Sequence, residues 1–209
     1  MAKNFRIGQN SLQVSQTIVR NHPEIVQLKL VSHKVEDNWR QTNKTSSLKM
    51  KNILSGFNHD KPIKEFYCDR EKFLGLNLIK LPKLAENEVW SLTSKVLCDG
   101  NTYKYIPMMN FHLDDINLGV VRETLKYICW RKNGCLLESG RFYHYYGNFL
   151  LSQDEWTRFI AEFLMPCIVV SPRYIGHRIY DGYCTLRLTI EKSYKPKLPE
   201  VIEVLNRHK

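Results

Sequence analysis

The chain has 209 residues, 43% of them hydrophobic and 11% aromatic, with a formal charge of +10 at pH 7 and a pI near 9.3. That much apolar material excludes a disordered chain, and no run of about 18 uncharged apolar residues is available to span a bilayer. The charge suits a polyanionic partner, since each phosphate met by Lys or Arg releases condensed counterions, although it also serves plain solubility.

A single domain over residues 1–209 is expected, with an N-terminal lobe to about residue 85 and a second lobe over about 86–209. The opening "MAKNFRIGQNSL" has no apolar signal core, which points to the cytoplasm. Six cysteines (68, 98, 129, 135, 167 and 184) form no CxxC and sit mostly in apolar runs, so buried reduced thiols are favoured over zinc ligands or disulfides.

In chain order, "EIVQLKLVSHKV" (24–35) alternates as a strand. The polar stretch from Glu36 to Pro62 suits a hairpin, a loop or a short helix, and "IKEFYCD" (63–69) reads as a second strand. "VWSLTSKVL", "CDGN" and "TYKYIPMMNFH" together predict a hairpin, with Asp99-Gly100 at its turn. Leu118, Val121, Leu125, Ile128 and Cys129 share one helical face, which Arg131, Lys132 and Gly134 bring to an end. "CLLES" and "RFYHYYGNFLL" read as strands. Ser152 and Glu155 form a capping box ahead of a helix carrying Trp156, Phe159, Ile160 and Phe163. "CIVV" predicts a short buried strand, "SPRYIGHRI" a turn or brief helix, and "YCTLRLTI" a strand. "KPKLPEVIEVLNRHK" predicts a helix started by proline. This order gives an α+β fold, a mixed or antiparallel sheet with helices packed on it.

Chemistry concentrates in "SGRFYHYYG" (139–147). Gly140 lets the backbone approach a ligand closely, and Arg141 can fork onto two phosphate oxygens. His144 faces away from Arg141 in an ideal strand, so a turn near Gly140 is needed to bring both to one ligand. The alternative is a cross-strand histidine satisfied by a neighbouring hydroxyl. Tyr143, Tyr145, Tyr146 and Tyr174 either stack bases or serve as core and cross-strand partners, Tyr145 being the stronger core candidate.

On these residues the chain resembles the archaeo-eukaryotic primase-polymerase superfamily, in particular its small primase-like proteins of bacteria. "SGRFYHYYG" is similar to that family's middle motif, which implies that Ser139, Arg141 and His144 grip a nucleotide's triphosphate. "YIPMMNFH" resembles the first motif and "CIVVSPRYIGHRIYDGYCTLRLT" the third, with Arg187 in the strand that follows. The resemblance spans about residues 86–192 and implies the RRM-like catalytic-module architecture of that family.

The departures fall on the metal ligands. Where the family carries Asp-x-Asp, this chain has Asn110, Phe111 and His112, and Ser171 replaces the later Asp. Mg²⁺ prefers hard, anionic oxygen ligands, so an amide, a hydroxyl and an imidazole do not supply a two-metal site. The resemblance therefore implies a pseudoenzyme that keeps phosphate binding, with Arg173, His177 and Arg187 as further neighbours. No cofactor is expected unless the protein is active, when Mg²⁺ or Mn²⁺ would be needed. His112 with Asp114 could hold a softer ion, and Asp181 could join it, whereas Asp114 and Asp115 equally suit a helix start. A His144–His177 acid–base pair is a further possibility that no spacing supports. The expected partners are single-stranded DNA or RNA, or a nucleoside triphosphate. Two alternatives stay open: a structural subunit docking on a helicase or nuclease, and a nucleotidyltransferase with an atypical metal site.

Overall fold

In the computed structural model, the residues described are 4–35, 57, 61–111, 117–129, 132–140, 142–166, 169–193 and 195–205. Two antiparallel sheets and five helices make an α+β fold, as expected.

Helix α1 (Ser11–Asn21) is an element that the sequence reading leaves out. Its signals are a capping box between Asn10 and Gln13 and the buried spacing of Leu12, Val14, Ile18 and Val19. Strand β1 (Ile25–Lys34) follows as predicted, then β2 (Lys64–Asp69) and the short helix α2 (Arg70–Leu74). The polar stretch between β1 and β2 lies almost wholly outside the described residues. Strand β3 (Glu88–Cys98) leads through the Asp99–Asn101 turn, where Gly100 takes φ 69° and Asn101 φ 57°, into β4 (Thr102–Tyr105). The predicted hairpin therefore forms, but its second arm, β4, stops after Tyr105 and covers about a third of the expected stretch. Ile106 and Pro107 break it, Pro107 having no N–H to continue a ladder, and the chain crosses into the other sheet as β5 (Met108–Phe111).

Helix α3 (Leu118–Ile128) buries Val121 and Leu125 and is capped by Asn117, which accepts from the Val120 amide. Strands β6 (Gly134–Glu138) and β7 (Tyr143–Gly147) form a hairpin, followed by α4 (Gln153–Glu162) with the predicted Ser152–Glu155 box intact. "CIVV" is corrected: Val169 and Val170 are buried in a bend, not a strand, and residues 167–168 lie outside the described set. "SPRYIGHRI" becomes a full helix, α5 (Pro172–Asp181), with proline in its first turn and Gly182 closing it at φ 72°. Strand β8 is only Thr185–Arg187.

The C-terminal helix is also corrected. The segment is a strand, β9 (Glu200–Leu205), because Val201 and Val204 pair with Leu137 and Cys135 on the open edge of β6. The β-branched side chains of Val201, Ile202 and Val204 favour a strand there and outweigh the proline start signal.

The first sheet runs β2-β1-β3-β4, with β8 sharing β3's second edge. The second runs β5-β7-β6-β9. A continuous core joins them, filled by Trp90, Tyr105, Phe111, Tyr145, Tyr146 and Phe163 among others. Tyr105 stacks on Trp156 of α4 at 4.9 Å between ring centroids. Five cysteines (68, 98, 129, 135 and 184) are buried free thiols, and Cys167 lies outside the described residues. Among the described residues no helix is long and apolar enough to cross a membrane.

Candidate phosphate site

The hairpin between β6 and β7 sets the site. Ser139 N–H donates to the Phe142 carbonyl at 2.8 Å and the Ser139 hydroxyl donates to the same oxygen at 3.0 Å, closing a tight corner that Gly140 enters at φ 102°. That left-handed backbone is what glycine supplies there. The turn required near Gly140 thus exists. Ser139 is spent on shaping it, its hydroxyl held by Phe142. Arg141 itself lies outside the described residues, as do His112 and Asp114.

One strand over, β5 pairs with β7 so that Asn110 stands directly opposite His144, and Leu137 of β6 flanks His144 on its other side. His144 is 5% exposed. Asn110 is half-buried, and its side-chain Oδ1 is shielded from solvent with no hydrogen-bond partner. An acceptor left so costs stability, and such an atom marks a place where structure alone does not explain the residue. Tyr145 and Tyr146 are both fully buried, so the expectation for Tyr145 holds and Tyr146 joins it in the core. Tyr174 is buried as well. Of the four aromatics, only Tyr143 is half-exposed.

Helix α5 lies against β5 through Tyr174. The Tyr174 hydroxyl faces the Asn110 backbone and the Cys184 thiol, and burial pushes its pKa well above the ordinary range. Ser171 is the N-cap residue immediately before that helix, without a side-chain cap bond. Arg173 and His177 share one face of α5, the Arg173 Nε lying 3.5 Å from His177 Nε2. On the next turn Arg178 is paired with Asp181 at 3.0 Å and donates to the Thr185 hydroxyl at 3.2 Å. Asp181 is thereby committed to an arginine, which disfavours it as a metal ligand.

Arg187 differs from the neighbour role expected of it. It is buried, and its guanidinium donates only to backbone carbonyls: Thr189 at 2.7 Å, Lys197 at 2.8 Å, Ser139 at 3.1 Å and Lys195 at 3.5 Å. Burial lowers its pKa to about 10, only partly opposed by Tyr146 nearby. Two lysines flank the corner. Lys197 pairs with Glu138, and Lys195 lies 5.4 Å from the centre of the Phe142 ring.

Strands β5 and β7 therefore pair in register, and Tyr174 of α5 lies against Asn110 of β5. A family model described as archaeo-eukaryotic primase 1D-like matches residues 75–200.

The chain belongs to the archaeo-eukaryotic primase-like family.

No curated protein and no solved structure matches it. Polymerising relatives of a primase-like chain imply a divalent-metal pair. The donors that the described residues offer here, an amide oxygen at Asn110 and a hydroxyl at Ser171, are neutral and do not fit one. Among the described residues no three His, Cys, Asp or Glu side chains cluster as metal ligands.

Proposed function

We propose that this primase-like protein binds the phosphates of single-stranded nucleic acid or of a nucleoside triphosphate at the Ser139–Gly140 corner, and does not polymerise. The observation that carries this reading is the register pairing of Asn110 with His144, beside a glycine corner flanked by lysines. A left-handed glycine, exposed backbone and basic side chains are what a phosphate group needs. Arg141 and His144 are the first-rank ligands, and Arg173 and His177 the outer ones.

The claim of inactivity rests on Asn110, His112 and Ser171 standing where the acids would be. Without negative charge to gather divalent ions, in-line phosphoryl transfer loses its electrostatic partner. Fluorescence anisotropy with labelled single-stranded DNA and RNA, repeated over a salt series, tests the binding. Log affinity is expected to fall linearly with log salt. Weak binding with no salt dependence refutes the phosphate reading. Primer extension with Mg²⁺ or Mn²⁺ tests inactivity, and reproducible product overturns it.

A second reading, a subunit that docks on a helicase or nuclease, is favoured by one feature. An apolar cleft of about 440 Å³ is lined by Leu78, Thr189, Ile190, Pro196 and Leu198, next to the strongly exposed Ile79. Salt-independent anisotropy would shift the balance towards it.

A further inference from the structure

Between β8 and β9 the chain runs as a strap past the hairpin corner, and its side chains alternate. Pro196 and Leu198 line the apolar cleft, while Lys195 and Lys197 turn to the corner. Lys195 lies over Phe142 and Lys197 reaches Glu138, so one lysine stands on each side of Ser139 and Gly140. A side chain added at Gly140 would meet the Lys197 Cβ at 3.9 Å, ordinary van der Waals distance. The strap thus lies directly against the corner.

The Lys197–Glu138 pair is a surface pair, its side chains 47% and 37% exposed. Exposed pairs of this kind contribute little, so Lys197 can exchange Glu138 for a phosphate oxygen at small cost. Holding strap and corner together is Arg187. Its Nη2 bonds the Ser139 carbonyl on one side and the Lys197 carbonyl on the other, while Nη1 bonds Thr189 and approaches Lys195. Lysine has no planar fork and could not span these oxygens.

We propose that Lys195 and Lys197 form the second half of the phosphate cradle, and that Arg187 is the positioning residue that holds them against the Ser139–Gly140 corner. This rests on the phosphate reading above and adds ligands to it. Arg187 does not touch phosphate itself: the described donors of its guanidinium are turned to carbonyls. The ligand class is a run of phosphate oxygens, supplied either by a single strand or by a triphosphate.

The test uses the full chain with two probes, a labelled single-stranded oligonucleotide read by anisotropy and ATP read by calorimetry. Lys195→Gln and Lys197→Gln should each weaken the oligonucleotide and reduce the salt slope by about 0.7, the value for one phosphate no longer neutralised. Arg187→Lys should weaken binding several-fold at a folded fraction matched to the parent and lower the slope as the lysine variants do, because it displaces the lysines from the phosphates they neutralise. Glu138→Gln should tighten binding by releasing Lys197, and it keeps the proposal testable if Arg187→Lys fails to fold. An effect on the oligonucleotide alone assigns the cradle to a strand, and an effect on both probes assigns it to a triphosphate group. If the parent binds and the lysine variants match it in affinity and slope, or if Glu138→Gln leaves binding unaltered, this inference fails and the phosphate reading survives. If Arg187→Lys binds like the parent, the positioning role fails. If the parent binds neither probe, the phosphate reading fails first, and this inference with it.

Discussion

Replacing Gly140 by alanine separates backbone geometry from sterics at the corner. The residue sits at φ 102°, where a Cβ strains against its own carbonyl, yet the nearest outside atom to an added Cβ is the Lys197 Cβ at 3.9 Å. No collision is added, so the cost is conformational alone, about 1–2 kcal/mol. For a chain of this size each kcal/mol shifts Tm by about 2–4 °C, so Gly140→Ala should melt roughly 2–8 °C lower. Gly134→Ala is the comparator in the same hairpin. Its Cβ would lie 2.6 Å from Tyr145 Cε2 and 2.8 Å from the Tyr146 carbonyl, so strands β6 and β7 would have to part and the loss should be larger. Calorimetric melting gives the ranking. Anisotropy well below either Tm gives the functional half, in which Gly140→Ala weakens oligonucleotide binding more than its unfolded fraction explains. A Gly140→Ala variant melting within about 1 °C of the parent, with unchanged binding, would refute the left-handed corner and the argument built on it.

Alkaline pH supplies a second test. Burial holds the Cys129 and Cys184 thiols up at about 12 against an ordinary 9.0, so above pH 9 the unfolded chain gives up protons that the folded chain keeps. Stability, whole below pH 9, should therefore fall as pH rises towards 12, by up to about 1.4 kcal/mol per pH unit for each thiol. Urea midpoints from pH 8 to 10 measure this. Cys184→Ala should flatten the profile, and an already flat parent profile would contradict the burial. Asp181→Asn leaves Arg178 buried without its carboxylate and should cost about 3 kcal/mol in urea unfolding; no loss would mean that the pair carries nothing. Asn110→Asp combined with Ser171→Asp restores two acids at the motif positions and should raise Mn²⁺ affinity by calorimetry; an unchanged isotherm would argue that these positions do not face one site.

Local signals survived into the structure where one rule acted alone. The Ser152–Glu155 box and the Asp99-Gly100 turn are specified within a few residues, and both formed. Asn110 and His144 could be named from sequence as motif positions, and the register that sets them face to face agrees with that order. What failed was decided at a distance. Val201, Ile202 and Val204 are β-branched residues that favour a strand, but only the vacant edge of β6 settles that against a proline-started helix. The break at Ile106 and Pro107 depends on two sheets needing one chain, which no short window of sequence contains. The strap lysines carry only a faint local mark, and their role is set at a distance. Their meaning comes from Arg187, ten residues before Lys197, and from the corner nearly sixty residues before it. A signal was present in the alternation of "KPKL" between Lys195 and Leu198.

Strand β1 lies between β2 and β3, outside the stretch that the family model covers, yet Leu28, Leu30 and Val31 are among its fully enclosed side chains. A truncated fragment of residues 75–200 would keep every motif position and lose the neighbour that covers β3 from Glu88 to Cys98. Such a fragment should self-associate through its bared ladder instead of remaining monodisperse. Strand β1, silent in motifs, is what covers the ladder of β3 that would otherwise stand open.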